Sequence, residues 1–206
     1  MEEGAGDRLT LKDLLTKKSG PAGIEILGEA YFNPAHSPLL AANPGLKGLD
    51  GKMSSIFWMF ATHAAEVEVD LETGVVKVLK VVAAHDVGRA INPITCEQQI
   101  EGSVLMGVSN TLFEEFKMEK GRILNDSLED YKLATFMDMP EIVPIIVEST
   151  HKEGPFGAKG VGEPAAAATA PAIANAIFDA AGIRIKDLPI TAEKVWAALK
   201  AKKGKG

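Results

Sequence analysis

Hydrophobic and polar residues alternate most sharply in "AEVEVDLETGVVKVLKVVAAHDVG", residues 65–88, where valines and charged residues take turns on both sides of "DLETG". A period of two is that of a strand with one buried face. Gly74 supplies the positive φ that a tight turn requires, so the stretch predicts a β-hairpin. That hairpin sets Glu66 and Glu68 near Lys77 and Lys80, worth roughly 0.2–1 kcal/mol per cross-strand pair. The pattern then changes. In "NPITCEQQIEGSVLMGVSNTLFEEF" the apolar residues Ile100, Val104, Val108 and Leu112 recur every fourth position, the period of a helix. Gly102 and Gly107 lie inside it, each costing about 1 kcal/mol against Ala. Glycines held at that cost imply a close neighbour, either another stretch of backbone or a cofactor.

Further along, the pattern predicts a loop through "KGRILNDSLEDY", a strand in "EIVPIIVEST", a glycine-rich loop and the helix "TAPAIANAIFDAAG", with Thr169 as N-cap and Gly182 just past its end. A last helix, capped by Thr191, packs Val195, Trp196 and Leu199. The first fifty residues read differently. They hold one short helix, "LTLKDLLTKK", capped by Thr10 with Leu11, Leu14 and Leu15 on one face, and a short strand over Ile24–Leu27. The remainder is turn-forming residues, as in a segment that wraps over another surface. Strands and helices are mixed without a βαβ rhythm, so the expected class is α+β: a β-hairpin and mixed sheet packed with several helices. The expected divisions are a loop-rich interface segment over 1–55, the main subdomain over 56–200 and a frayed basic tail over 201–206.

Composition narrows the function. A chain of 206 residues, 46% hydrophobic and 24% charged, is globular in character. Its formal charge of −6 argues against a nucleic-acid partner, which would need clustered Lys and Arg. Cys96 is the one cysteine, so neither an internal disulfide nor a Cys cluster for zinc or iron–sulfur is available, which suits a reducing cytoplasm. No targeting segment is visible, and no apolar run reaches the ~20 residues of a membrane span.

The candidate chemistry centres on "GPFGAKGVGEPAAAATAPAIANAIFDAAG", residues 154–182. Gly160 and Gly162 clear the backbone of side chains, so the loop around Val161 can approach a ligand closely. Glu163 follows, stiffened by Pro164 and set beside Ala165 to Ala168. Burial in such an apolar setting would raise its pKa toward that of a general base near neutrality. The plainer reading is a carboxylate flanking a helix N-terminus, worth ~0.3–1 kcal/mol through the dipole. On spacing alone the plainer reading has the edge. The four histidines, His36, His63, His85 and His151, show no metal-ligand spacing, so ordinary structural roles and no protein-held metal are expected. Asp86 in "AHDVGRAINP" suits a tight turn better than a ligand edge. No P-loop, dinucleotide fingerprint or catalytic triad is evident.

Three stretches carry a more specific signal: "AEVEVDLETGVVKVLKVVAAHDVGRAINP", "LNDSLEDYKLATFMDMPEI" and "GPFGAKGVGEPAAAATAPAIANAIFDAAGIRIKDLPIT". In this order, over roughly residues 8–199, the chain resembles the C-terminal part of the molybdopterin-binding subunit of the xanthine dehydrogenase and aldehyde oxidase family of molybdenum hydroxylases. The resemblance implies half of a larger molybdopterin-binding domain. It makes Glu163 the base beside molybdenum in a reaction that puts a water-derived oxygen on an electron-poor carbon of a heteroaromatic or aldehyde. Gly160, Val161 and Gly162 line the cofactor through their backbone. Met106, in "EQQIEGSVLMG", stands where the family commonly has a Gln near the cofactor. The family's other cofactor motifs lie upstream of anything in this chain. The resemblance therefore implies a partner chain or domain carrying the rest, with [2Fe-2S] and FAD on further subunits and a small-molecule substrate. The alternative is a non-catalytic structural or assembly subunit, or an inactive remnant.

Overall fold

The computed structural model describes Glu29 and residues 58–152 and 154–204. All of these except Glu29 lie in one compact unit, His36–Gly206. The helix expected after Thr10, the strand expected at Ile24–Leu27, and His36 lie outside the described residues.

Strands β1 (Ala61–Val69) and β2 (Val76–Asp86) form the hairpin that the valine alternation predicts. Gly74 turns it at φ +80, and a Cβ there would also press on Trp196 of the last helix. Glu66 pairs with Lys80 and Glu68 with Lys77 across the ladder, as expected. Lys80 puts its ammonium on Glu141 of a third strand, at 2.8 Å. The ladder slips between Glu66 and Val67, so Leu79 is an extra residue on β2. Such a bulge shifts the pleat by one. It explains how Val78 and Val81, an odd number of positions apart, both enter the core.

Strand β5 (Glu141–Val147) lies parallel to β2, giving the sheet order β1-β2-β5. One antiparallel and one parallel pairing make the mixed sheet of an α+β fold. The segment "KGRILNDSLEDY", expected as loop, contains strand β4 (Arg122–Ile123), which pairs with β3 (Met118–Glu119) just before it, and helix α2 (Leu128–Tyr131). Gly121 at φ +81 closes the turn of that pair, and the Ser127 side chain caps α2.

Helix α1 (Pro93–Leu112) starts where Asn92 accepts a bond from the Thr95 N–H and Pro93 presets the first turn. Its predicted stripe, Ile100, Val104, Val108 and Leu112, is buried. It packs against β5 and β2, and against helices α3 (Pro164–Ala167) and α4 (Thr169–Ala181), while α4 covers β1. Gly182 ends α4 at φ +62, as its sequence position predicts. Thr169 is not the N-cap: Ala168 holds that position, and Thr169 is the first helical residue, fully buried. Helix α5 (Ala192–Lys203) is capped by Thr191, as expected. The basic end expected to fray instead carries this helix to Lys203, and Lys202 donates to the Ala181 carbonyl at 2.9 Å. A cation at the exposed carbonyls of a helix C-terminus is favourable, which draws the tail onto α4.

The two glycines inside α1 separate cleanly. A Cβ on Gly107 would come within 2.6 Å of Thr169 Cβ and 3.1 Å of the Ala166 carbonyl, so this glycine admits the backbone of α3 and the Thr169 side chain of α4. A Cβ on Gly102 would meet no described residue within 4 Å. Gly107→Ala is therefore expected to destabilise the chain by about 1–3 kcal/mol through overpacking. Gly102→Ala should stabilise it by up to about 1 kcal/mol through helix propensity. Thermal denaturation of both variants checks the contrast.

Candidate functional site

The site is built where β2 ends. Asp86 is the last residue of the strand, and the chain turns at Gly88, held at φ +63. A side chain at Gly88 would collide with the Gly157 carbonyl, so glycine is required for the close approach of loop 154–163. Arg89 N–H donates to Gly157 O at 2.8 Å and Lys159 N–H to Val87 O at 2.9 Å, giving a short antiparallel bridge between Gly88 and Ala158.

Beneath the bridge lies an ion pair. Lys159 Nζ is 2.5 Å from Asp86 Oδ2, and the two side chains are only 5% and 4% exposed. The ammonium also donates to Trp58 O at 3.1 Å, and Asp86 Oδ1 accepts the Gly88 N–H at 3.0 Å. Burial pushes the Asp86 carboxyl up, but the Lys159 ammonium and the Gly88 N–H outweigh it and hold the group below its ordinary range. The turn reading of Asp86 from sequence is correct, and the ion pair is added to it.

From Lys159 the chain runs through Gly160, Val161 and Gly162 to Glu163. Val161 packs its side chain against the core. Gly162 O accepts the Ser103 hydroxyl at 2.5 Å, tying the loop to α1. Neither Gly160 nor Gly162 has a positive φ. Among the described residues a Cβ on either would meet no atom closer than Met59 Sδ at 4.0 Å or Gln99 Oε1 at 3.9 Å, respectively. Packing among the described residues therefore demands glycine at neither position, and the missing side chains leave a cradle along this backbone. Gln99, Gly102 and Met106 line the exposed side of α1 at spacings of three and four, on the face from which Ser103 reaches the loop. Met106 is 53% exposed.

Glu163 stands at the N-cap position of α3, yet its side chain makes no capping bond and is exposed. Ala165, buried beneath it, is the apolar neighbour that the sequence suggests. The enclosure expected around the carboxylate is absent among the described residues: of the neighbouring alanines only Ala165 is buried, and Ala167 is exposed. Upstream, Phe156 sits at φ 54, ψ 17 with its ring 82% exposed, a backbone region that bulky residues rarely occupy.

Behind α3 lies a contact that sequence reasoning missed. His63 Nε2 and His85 Nε2 are 2.6 Å apart, and His63 Nδ1 is 3.2 Å from Thr169 Oγ1. Thr169 in turn bonds Ala165 O. One proton per contact satisfies the chain if His85 donates to His63, His63 to Thr169 and Thr169 to the carbonyl. The only signal in sequence was that both histidines fall on inward positions of paired strands. Burial, and then the neighbouring His85, pull the His63 pKa down to about 4, and burial pulls His85 down as well. No group of three or more metal-ligating side chains occurs among the described residues.

Comparison with known proteins identifies the lineage. Residues 5–140 match the family described as molybdopterin cofactor-binding domain. A nicotinate dehydrogenase subunit of Pseudomonas putida is 42% identical over 140 residues, which are 68% of this chain and 12% of that protein. A probable xanthine dehydrogenase subunit of Bacillus subtilis is 38% identical over 70% of this chain and 20% of its own length. Among solved structures, quinoline 2-oxidoreductase of Pseudomonas putida superposes with a TM-score of 0.62 at 32% identity, over 67% of this chain and 18% of that one. The aldehyde oxidoreductase of Desulfovibrio desulfuricans does so with 0.62 at 35% identity, over 68% and 15%. The chain belongs to the molybdopterin cofactor-binding family of molybdenum hydroxylase subunits, and it matches only part of each relative.

The histidine pair gives this unit a pH dependence. The folded chain binds a proton at His63 more weakly than the unfolded chain. The stability from its neutral burial is thus complete above the ordinary histidine range and is lost as pH falls through about 4. Denaturant midpoints should fall between pH 6.5 and pH 4, and a His63→Gln variant should show a shallower slope over that window.

Proposed function

We propose that this chain is the C-terminal part of a molybdenum hydroxylase and that it presents Glu163 as the catalytic base to a molybdopterin cofactor held largely by the rest of the assembly. The observation that carries the reading is the pairing of an exposed carboxylate, without a hydrogen-bond or ion-pair partner among the described residues, with a glycine cradle that this chain's own packing does not require.

The residues present fit such a group. Gly160 and Gly162 would let it approach the backbone, Val161 would hold the loop in the core, and Met106 would face it from α1. A thioether is only a weak acceptor where an amide would also donate, so Met106 would contribute contact more than hydrogen bonding. When bound, the cofactor supplies two-electron oxidation of a C–H carbon with water as the oxygen source. Glu163 takes up the proton of that water at its carboxylate, an effect on the order of 10²–10⁴ in rate.

Because the chain spans 12% and 20% of the lengths of the first two relatives, a partner chain or domain is part of the proposal. Iron–sulfur and flavin subunits would receive the electrons. Nicotinate, xanthine, quinoline and aldehyde in the names of similar proteins point to a heteroaromatic or aldehyde substrate class. Among the described residues no helix is long and apolar enough to cross a membrane, and we place the complex in the cytoplasm.

In the molybdenum-containing assembly, Glu163→Gln should leave metal content unchanged and lower turnover by about 10²-fold or more. Turnover equal to wild type would remove Glu163 from the reaction. Met106→Gln, which restores the family's common residue, should leave molybdenum occupancy equal or higher. A clear loss by metal analysis would show a differently built cradle.

A further inference from the structure

We infer that the buried Asp86–Lys159 pair is the positioning device of the Glu163 loop: it fixes residues 157–162 against the end of β2 and thereby sets where the carboxylate stands. The role of Glu163 rests on the function proposed above, whereas the clamp itself stands on geometry alone. Lys159 lies between Gly157 and Gly160, in a stretch where glycine leaves the unfolded backbone unusually free and ordering is costly.

Upstream, among the described residues, are the two backbone bonds of the Gly88–Ala158 bridge and the bond from His151 N–H to Gly157 O, and downstream are Val161 in the core and the Ser103–Gly162 bond. Lys159 joins the two halves. Its ammonium reaches both the Asp86 carboxylate at 2.5 Å and the Trp58 carbonyl at 3.1 Å, binding the loop to the end of β2 and to the entry of β1. An apolar pair would fill the same volume without a preferred direction. Two opposite charges, almost fully buried, confine the loop to the register in which they meet.

Neither residue can touch a ligand from this position, so the pair acts through the loop rather than on substrate. Its effect should appear as local order. The test is hydrogen exchange by mass spectrometry on the full chain, together with whatever chains accompany it. In an Asp86→Leu/Lys159→Met double variant, amides of residues 157–162 should exchange about tenfold faster or more, with α1 and α4 unchanged. Lys159→Arg, which keeps the cation, should restore most of the protection. Should the double variant fail to fold, Asp86→Asn/Lys159→Gln reads the same amides with both charges removed and polar groups of similar shape kept.

Wild-type protection of the loop in the neutral variants would overturn the inference, as would a Lys159→Arg loop as fast as the double variant. Turnover of the same variants separates this inference from the proposed function. A loosened loop with undiminished turnover would leave the clamp standing and count against Glu163 as the base.

Discussion

Lys159 reaches back 73 positions in sequence to meet Asp86 beneath the turn at Gly88, and the geometry of the candidate site follows from that meeting. Withdrawing two charges from water is costly unless each finds its partners in place. Here each does. Asp86 has the ammonium and the Gly88 amide, and Lys159 has the carboxylate and the Trp58 carbonyl. Gly88 makes the arrangement possible, because any side chain there would hold the loop away from the strand.

Seen from that anchor, the unit has a finished side and an open one. On the finished side, Gly107 lets α1 meet Thr169, and the bonds from His85 through His63 and Thr169 to Ala165 seat α3 on the hairpin. On the open side, among the described residues, no atom lies closer than 3.9 Å to where a Cβ on Gly160, Gly162 or Gly102 would stand, and Glu163 is exposed at its edge. The chain spans 12% and 20% of the lengths of the first two relatives, and the remainder of the assembly is part of the proposed function.

Much of the fold was legible because it rests on local rules. Valine alternation and Gly74 gave the hairpin, four-residue spacing gave α1, and Gly182 and Thr191 marked helix ends correctly. The misses are long-range. Nothing in "EIVPIIVEST" says that it lies parallel to β2, since strand order is set by the helices that cover the sheet. Thr169 has the chemistry of an N-cap, but the approach of α1 at Gly107 draws it into the core, where it serves a histidine. Lys202 belongs to a run that reads as solvated until the end of α4 lies beside it. The site divides in the same way. The glycines and the acid were visible as a motif, and the family resemblance gave them a role, while the ion pair and the Ser103 tie join residues too far apart to read from sequence.

Purification of the untagged protein from its own host, with metal analysis and mass identification of the accompanying chains, tests the central claim most directly. The account predicts molybdenum in stoichiometric amount and a larger chain able to supply the rest of the cofactor site. A preparation free of molybdenum, with no second chain bound, would contradict it and leave Glu163 as a surface carboxylate on a fold that no longer serves its family's chemistry.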